Sequence, residues 1–402
     1  ARLLDAHGGL IMPGFINLHH HFYSALARGL DPGVKMGNFA QVLESLWWRL
    51  DQALDAESVA ISARLTLADC IRAGCTTVFD HHASPSCVRG RLALIADEVA
   101  RAGLSAVLCY EVSDRNDHEE AAAGIAENIE FWRSHRQDSR IRGTMGLHAS
   151  FTLTDESLES AARQRPEGIG CHIHLVEDLL DIRVSRGLFG ASPLDRLERF
   201  GLLDERALLA HGVHLSDDEF ERVGAADAVL IHNPESNANN GVGRLNPVEA
   251  SRRGCLVGLG TDGMASSMLR SLRASFLGHR SALRDPRVGF ETHPKRLHNN
   301  ALAARKFFEE PELGELSPGG PADIAVLDAP ARTPMDGGSL FGQLVYGAAE
   351  APVRHTVARG EVLMEDFRLT TIDLEETARE ALEIAERVWE RFHAIPPPPP
   401  SP

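Results

Sequence analysis

Positive charge is scarce in this 402-residue sequence, which has only three lysines and a net charge of −16. Asp and Glu number 57 against 41 Lys and Arg. A nucleic-acid groove or a surface for anionic membranes needs clustered basic residues, so neither partner is expected. Neutral and cationic small molecules stay open as ligands.

Long apolar segments and paired cysteines are also missing. No hydrophobic run reaches the roughly 18 residues of a membrane-spanning helix, and no hydrophobic leader opens the sequence. The six cysteines are scattered and form no CxxC pair, which excludes the PCxxC zinc ligands of the small nucleobase deaminases. We therefore expect a cytoplasmic protein with reduced thiols and no membrane partner.

What the sequence does contain is a repeated alternation of short apolar segments with amphipathic helical ones. It gives about eight strand–helix repeats, the number that closes a TIM barrel of parallel strands. An open doubly wound sheet is the alternative, but no Gly-rich phosphate-binding sequence follows the first strand. Nearly every strand candidate ends in His, Asp or Asn, at the end of the barrel where active sites lie.

The first of these strands ends in three histidines. The apolar run from Leu10 to Ile16 predicts a short buried strand before them. Since alternate residues of a strand face the same side, His19 and His21 are expected to converge while His20 faces away. Imidazole is the commonest side-chain ligand for zinc and suits related divalent metals. A His-rich surface turn is the alternative interpretation.

Later strand ends complete a candidate metal site. His174 ends one strand, Glu177 lies on the turn that follows it, and Asp262 closes the last repeat. Because a barrel gathers its strand ends around one axis, His19, His21, His174 and Asp262 can share one ion. Catalytic zinc leaves room for water and can become five-coordinate. It lowers the pKa of that water to about 7, which supplies hydroxide at neutral pH.

Other strand-end residues have less specific interpretations. His211 and His148 are predicted in the active site, with a hydrogen-bonded framework role as the alternative for His148. His172 is assigned to the core, and Trp47 belongs either to the core or to a flap over a flat substrate. Four residues stay open between a site role and a structural one: His81, His82, His232 and Asn237. Binuclear sites of this kind need a lysine where His148 stands, so a single metal is expected.

Four motifs, PGFINLHHH, HIHLVE, LAHGVHL and GLGTDG, resemble the amidohydrolase superfamily in its cytosine deaminase/chlorohydrolase branch. The resemblance spans Met12 to about Leu363. The segments ARGL, LWWRLDQALD, DHHASP, DRN and HNPESNANNGVG are similar to SsnA-type aminohydrolases within that branch. The resemblance implies a distorted (β/α)8 TIM barrel, a small β-sandwich built from both chain ends and one zinc ion, with iron as the alternative.

The resemblance also implies residue roles. The metal ligands would be His19, His21, His174 and Asp262. Glu177 would be the proton shuttle, and His211 would hold the hydroxide or the substrate, so that Glu177, His211 and Asp262 are the catalytic residues. We assign substrate contacts to His148, His211, Asn237 and Trp47. Ala149-Ser150 replaces the more usual Ala-Pro of these proteins, a change expected to affect substrate fit.

The expected reaction is hydrolytic deamination of an amino-substituted heterocycle (purine-, pyrimidine- or pterin-like) by an enzyme of EC 3.5.4 type. Glu177 would protonate the ring nitrogen next to the attacked carbon, and Asp262 would take a proton from the attacking water. Two alternatives remain: the same site displacing chloride or cleaving a cyclic amide, and a catalytically silent scaffold relative. The substrate stays unidentified by sequence, and a homodimer is expected.

The predicted domains follow from shifts in composition. Residues 1–12 are expected to be the N-terminal part of the β-sandwich, incomplete because the chain begins at Ala1 and not at Met. Residues 13–315 are the predicted barrel and residues 316–370 the C-terminal part of the sandwich. Residues 371–402 are a helix, which a capping box at Asp373 and Glu376 begins, and a Pro-rich tail.

Overall fold

The structure is a computed structural model, and it describes residues 3–398. The strands of these residues are, in chain order, β1 (Leu10–Pro13), β2 (Phe15–His20), β3 (Cys75–His82), β4 (Ser105–Tyr110), β5 (Ile141–Gly143), β6 (Met145–Ala149), β7 (Cys171–Leu175), β8 (Leu208–His211), β9 (Val229–His232), β10 (Leu256–Leu259), β11 (Ile324–Leu327), β12 (Val353–Ala358), β13 (Glu361–Glu365) and β14 (Arg368–Leu369). The end of the predicted Pro-rich tail, 399–402, lies outside the described residues.

The α-helices are α1 (Phe39–Val42), α2 (Trp48–Ala53), α3 (Ala56–Arg72), α4 (Arg91–Ala102), α5 (His118–His135), α6 (Asp155–Gln164), α7 (Leu179–Phe189), α8 (Pro193–Arg199), α9 (Asp217–Ala225), α10 (Pro234–Asn239), α11 (Pro247–Arg252), α12 (Met268–Leu283), α13 (Arg296–Phe308), α14 (Leu340–Tyr346) and α15 (Leu374–Ala394). A π-helical turn, Leu43–Trp47, joins α1 to α2. No helix among the described residues is long and apolar enough to cross a membrane.

Two parallel sheets, β2-β3-β4-β5 and β6-β7-β8-β9-β10, form the barrel. β5 and β6 are one stave interrupted at Thr144, whose backbone N–H donates to Leu108 O. The barrel closes where the backbone N–H groups of Thr261 and Asp262 both donate to His19 O, at 3.0 and 2.9 Å. Eight staves result, and the predicted (β/α)8 barrel is confirmed.

The run from Leu10 to Ile16 was expected to be one strand, and this expectation is wrong. The structure divides it between β1, which belongs to a second sheet, and β2, the first barrel stave. Gly14 lies between the two strands. Only glycine fits at this position, because a Cβ would lie 2.3 Å from the side chain of Thr76. Proline before it cannot donate to a strand ladder, so the sequence changes sheet at this dipeptide.

The second sheet is antiparallel and has the order β1-β11-β12-β13-β14. β1 pairs with β11 in the register Leu10 to Leu327. Both ends of the chain therefore contribute strands to the small β domain, as the sequence predicted. In the structure this domain contains one five-stranded sheet. We propose that the domain boundaries lie between residues 12 and 13, between residues 315 and 316, and between residues 370 and 371.

Local signals place the helices around the barrel. Asp55 and Ser58 form a capping box at the start of α3, and Gly74, with φ +78°, follows its end. Asp373 accepts from the backbone N–H of Glu376 at the start of α15. Apolar side chains of the staves pack with α13 in a buried cluster that comprises Ile16, Leu18, Phe79, Val107, Leu208, Val229, Ile231, Ala301, Ala303, Ala304, Phe307, Phe308 and Leu313.

Candidate active site

The barrel brings five of the predicted side chains to one point at its carboxyl end. His19 and His21 come from the end of β2, His174 from β7, His211 from β8 and Asp262 from the segment after β10. One ligand atom from each of His19, His174, His211 and Asp262 lies within 4.8 Å of the other three. His211 and Asp262 have positive φ angles of 76° and 56°, backbone strain of the kind that concentrates at functional sites.

Hydrogen bonds fix the tautomers of three of these histidines. The Nδ1 of His21 contacts the carbonyl oxygen of His81, and that of His174 contacts the carbonyl oxygen of His148. The Nδ1 of His211 lies 2.7 Å from Asn237 Oδ1. A carbonyl or amide oxygen only accepts, so each Nδ1 carries a proton and Nε2 is the ring nitrogen available to a metal ion. Such partners are typical of metal-binding histidines.

The Nε2 atoms converge on one another and on Asp262. His21 Nε2 lies 3.2 Å from His174 Nε2 and 2.9 Å from Asp262 Oδ1. His19 Nε2 is buried without a hydrogen-bond partner, 3.5 Å from Asp262 Oδ1. Bonds of about 2.0–2.1 Å to one ion place neighbouring ligand atoms roughly 2.9–3.4 Å apart. The donor set therefore fits one divalent metal ion.

The electrostatics of the cluster are mixed. Burial acts to lower the pKa of His21, but Asp262 outweighs it and raises this pKa to about 9, so a metal ion would displace a proton from His21. Burial lowers the pKa of His174 well below its ordinary value, which keeps the imidazole neutral. Burial acts to raise the pKa of Asp262, but the facing imidazoles of His19 and His21 outweigh it, and the pKa lies well below the usual range. A neutral imidazole and an ionised carboxylate are the forms that bind metal.

A second layer of contacts orients the ligands. His172 Nε2 lies 2.8 Å from Nδ1 of His19, so the residue predicted for the core supports a ligand. The hydroxyl of Ser236 on α10 donates to Asp262 Oδ2. His20, which faces away from the ligands, contacts Ser266 Oγ at 3.0 Å.

Glu177 lies beside the ligands on the turn after β7. Its Oε2 is 3.5 Å from His211 Nε2, and its Oε1 accepts from Asn240 Nδ2 at 3.1 Å. Burial raises the pKa of Glu177 to about 7. A carboxyl group with such a pKa can give and take a proton at neutral pH.

A cavity opens over this cluster. Trp47, Trp48, Phe39 and Phe151 line it, as do His21, His174, Glu177 and Asp262. His148 also lines the cavity, with Nδ1 2.6 Å from Thr152 Oγ1. Two residues assigned to the substrate by sequence, His211 and Asn237, do not line the cavity. Asn237 lies behind His211, at its Nδ1.

Three histidines whose roles the sequence left undecided are His81, His82 and His232. His81 Nε2 lies 3.2 Å from Leu147 O and 3.1 Å from His172 O, and its Nδ1 is 3.3 Å from Glu111 Oε2. His82 contacts Ser84 Oγ at 2.9 Å. His232 is buried and does not line the cavity.

Sequence reasoning gave no role to five charged residues of the cavity wall: Asp51, Glu111, Arg115, Asp178 and Asp181. Glu111 directly follows β4. This position at the end of a barrel strand could have identified it as a candidate site residue. Asp51 and Arg115 lie on a helix and a loop that carry no such signal.

The chain is similar to known proteins along most of its length. The model of the amidohydrolase family matches residues 10–363. A 5-methylthioadenosine/S-adenosylhomocysteine deaminase of Haloarcula marismortui is 31% identical in an alignment of 399 positions that covers 96% of this chain and 89% of the relative. A 5′-deoxyadenosine deaminase of Methanobrevibacter smithii is 28% identical in an alignment of 403 positions that covers 97% of this chain and 89% of the relative.

Solved structures show the same fold. An adenosine deaminase from Xanthomonas campestris with bound zinc superimposes with a TM-score of 0.82 at 21% identity, over 96% of this chain and 87% of that one. An atrazine chlorohydrolase from Arthrobacter aurescens TC1 with zinc gives 0.75 at 22% identity, over 94% and 88%. From the family match along most of its length, and from its barrel and its His/Asp cluster, we conclude that the chain belongs to the amidohydrolase family.

Proposed function

We propose that this protein is a metal-dependent aminohydrolase that deaminates an adenine-type heterocycle by hydrolysis. The observation that carries the proposal is the convergence of imidazole nitrogens with Asp262, and of Glu177 next to them, at the floor of one aromatic-lined cavity. The curated relatives named above act, by their names, on adenine nucleosides. We take their shared chemistry, removal of an amino group, as that of this chain.

One divalent ion, zinc in the first place and iron as the alternative, would be held by His19, His21, His174 and Asp262, with His211 Nε2 close to the same point. When bound, such an ion lowers the pKa of water and stabilises negative charge in the transition state. None of the lysines, Lys35, Lys295 and Lys306, lines the cavity. We therefore propose a single ion and not a lysine-bridged pair.

The side chains divide the proton transfers between them. The carboxylate of Asp262 accepts a proton from the water that attacks the amino-bearing carbon. Glu177 delivers a proton to the adjacent ring nitrogen and passes the next one to the departing ammonia. His211, held by Asn237 at Nδ1, uses Nε2 to orient the water or the substrate. His148 and Trp47 line the cavity where the heterocycle would lie.

Within the family we propose that the chain groups with SsnA-type aminohydrolases. The support is the set of sequence segments HNPESNANNGVG, LWWRLDQALD and DRN. In the structure these segments supply Asn237 behind His211, and Ser236, Asn240, Trp47, Asp51 and Arg115 on the cavity wall.

The test is ammonia release from zinc-, iron- and manganese-loaded protein over a panel of heterocycles. The panel contains 5′-methylthioadenosine, 5′-deoxyadenosine, adenosine, cytosine, a pterin and amino- and chlorotriazines. We expect ammonia from at least one adenine nucleoside, together with the absorbance change of adenine deamination. Chloride release from the chlorotriazine without any ammonia from the panel would assign the site to dehalogenation instead. No product from any compound with metal-loaded protein would contradict the proposal.

A further inference from the structure

The turn after β7 holds a valine in a backbone conformation that valine disfavours. Val176 has a φ of +50° and is buried. Among residues 3–398, it is the only β-branched residue with a positive φ. A β-branched side chain in the left-handed region is a genuine outlier, and such strain persists only where the surrounding structure enforces it.

Val176 lies directly before the side chain that we propose as the proton shuttle. His174 is the metal ligand near the end of β7, and Glu177 follows Val176 on the turn. The left-handed residue sets the direction in which the chain leaves the strand. In this direction the Oε2 of Glu177 comes to lie 3.5 Å from His211 Nε2. A relaxed, negative φ at Val176 would point the chain elsewhere and take the Glu177 carboxyl group away from the site.

The carboxylate of Asp181, in the first turn of α7, holds this turn by its backbone. Its Oδ2 accepts from the N–H of Val176 at 2.9 Å, and its Oδ1 accepts from the N–H of Phe151 at 3.1 Å. The hydroxyl of Ser185 lies 3.4 Å from the same Oδ1. Asp181 is buried. It therefore ties the turn after β7 to the turn after β6.

The other hydrogen bonds of the turn come from backbone groups. The carbonyl oxygen of Val176 accepts from the N–H of His214 at 3.2 Å, and that of Leu175 accepts from the N–H of Gly212 at 2.8 Å. Both donors lie in the segment after β8. Asp181 is thus the side chain that receives the N–H of the strained residue.

Asp181 has two other interpretations. It lines the cavity and could bind substrate, but each of its oxygens already has a backbone donor. It could also be an ordinary acidic residue of a helix start, favoured by the helix dipole. The N-cap of α7 is Asp178, however, whose side chain accepts from the N–H of Leu180. Neither interpretation accounts for the bond to Val176.

We propose that Asp181 is a positioning residue for Glu177: its carboxylate keeps Val176 in the left-handed conformation that directs the Glu177 carboxyl group at the reaction centre. This inference rests on the proposed deaminase function, in which Glu177 is the proton shuttle. Asp181 acts through the backbone and exchanges no proton with the substrate.

The variant Asp181→Asn tests this role. Asparagine has the shape of aspartate but one acceptor oxygen instead of two, and its NH₂ group cannot accept from a backbone N–H. Burial raises the pKa of Asp181 to about 6, so kcat is measured at pH 8, where the carboxylate is ionised. For metal-loaded protein, we expect kcat to fall by about 10–100-fold, with an unchanged metal content.

Val176→Gly supplies the rescue. Glycine adopts a positive φ without steric cost, so the turn no longer depends on Asp181. In the Val176→Gly background, Asp181→Asn is expected to lower kcat by less than about threefold, a non-additivity that marks two coupled residues. A loss that arises from the bond to Phe151 instead would be equal in both backgrounds.

Asp114→Asn is the matched control. The Oδ2 of Asp114 accepts from the backbone N–H of Thr154 at 2.7 Å, and its Oδ1 accepts from the hydroxyl of Ser157 at 2.8 Å. It ties two loops together in the same way, but it does not contact the turn after β7. Its kcat should stay close to the wild-type value.

Crystal structures of the wild-type protein and Asp181→Asn give a readout that does not depend on activity. In the variant we expect a negative φ at Val176 and a Glu177 carboxyl group displaced from His211. This displacement in a protein that releases ammonia from no compound of the panel would support the positioning role and remove the proposed deaminase function.

Full kcat in Asp181→Asn, an unmoved Glu177 in its crystal structure, or an equal loss of kcat in both backgrounds would overturn the inference. If Asp181→Asn does not fold, the double variant decides. A folded, active protein with Val176→Gly and Asp181→Asn together would support the inference, and an unfolded one would contradict it.

Discussion

Replacement of Glu177 by glutamine separates proton transfer from metal binding. Glutamine has the shape of glutamate, and its amide oxygen can still accept from Asn240, which lies 3.1 Å from Glu177 Oε1. What is lost is a titratable proton 3.5 Å from His211 Nε2. General acid–base catalysis contributes about 10²–10⁴-fold, so kcat is expected to fall by that factor, about 3–5 kcal/mol in activation free energy.

Steady-state ammonia release and elemental analysis of the same sample measure this effect. The variant should keep the wild-type metal content and thermal stability. Glu235→Gln on α10 is the control: it is the same chemical change beside the site, on a side chain that does not line the cavity, and its kcat should stay close to the wild-type value. A Glu177→Gln variant that retains its metal and full kcat would refute the assignment of Glu177 as the proton shuttle.

Three further predictions concern the surroundings of the site. Asn237→Leu removes the partner of His211 Nδ1 and should lower kcat/KM by about 10–100-fold, as second-layer changes at metal sites do; rescue by Asn237→Asp would show that the acceptor matters. Leu18→Ala, at a fully buried position, should lower the unfolding free energy by about 2–5 kcal/mol in chemical denaturation. Burial lowers the pKa of His293 to about 3. The neutral imidazole therefore contributes to a free energy of unfolding that is fully present above pH 6.5 and falls as the pH drops towards 3. The variant His293→Gln should show a smaller decrease in the free energy of unfolding between pH 7 and 4 in denaturation curves.

Much of the fold could be predicted because the barrel repeats one local pattern. Each stave is a short apolar run, each helix is amphipathic, and capping residues such as Asp55 and Asp373 mark the helix starts.

The candidate site could be predicted where its residues directly end strands. His19, His174 and His211 needed only the rule that parallel strands gather their carboxyl ends. The remaining contacts depend on tertiary geometry. Asp51 and Arg115 meet across 64 residues of sequence, and nothing local to either residue indicates the other.

The contacts that α10 makes with the site could not be predicted from the sequence, because they also depend on tertiary geometry. This helix places Ser236 against Asp262, Asn237 against His211, and Asn240, which follows it, against Glu177. Each of these residue types is common in turns and helix caps, so only the folded chain distinguishes the three contacts from ordinary polar surface.

Metal content tests the central claim of this account most directly, because the claim is that distant strand ends hold one ion together. Protein purified without chelators should contain one divalent ion per chain. His21→Gln and Asp262→Asn should each lose it, whereas His20→Gln, on the neighbouring residue that contacts Ser266 instead, should keep it. A wild-type protein that binds no divalent metal even after reloading, or one whose metal survives in both ligand variants, would contradict the account.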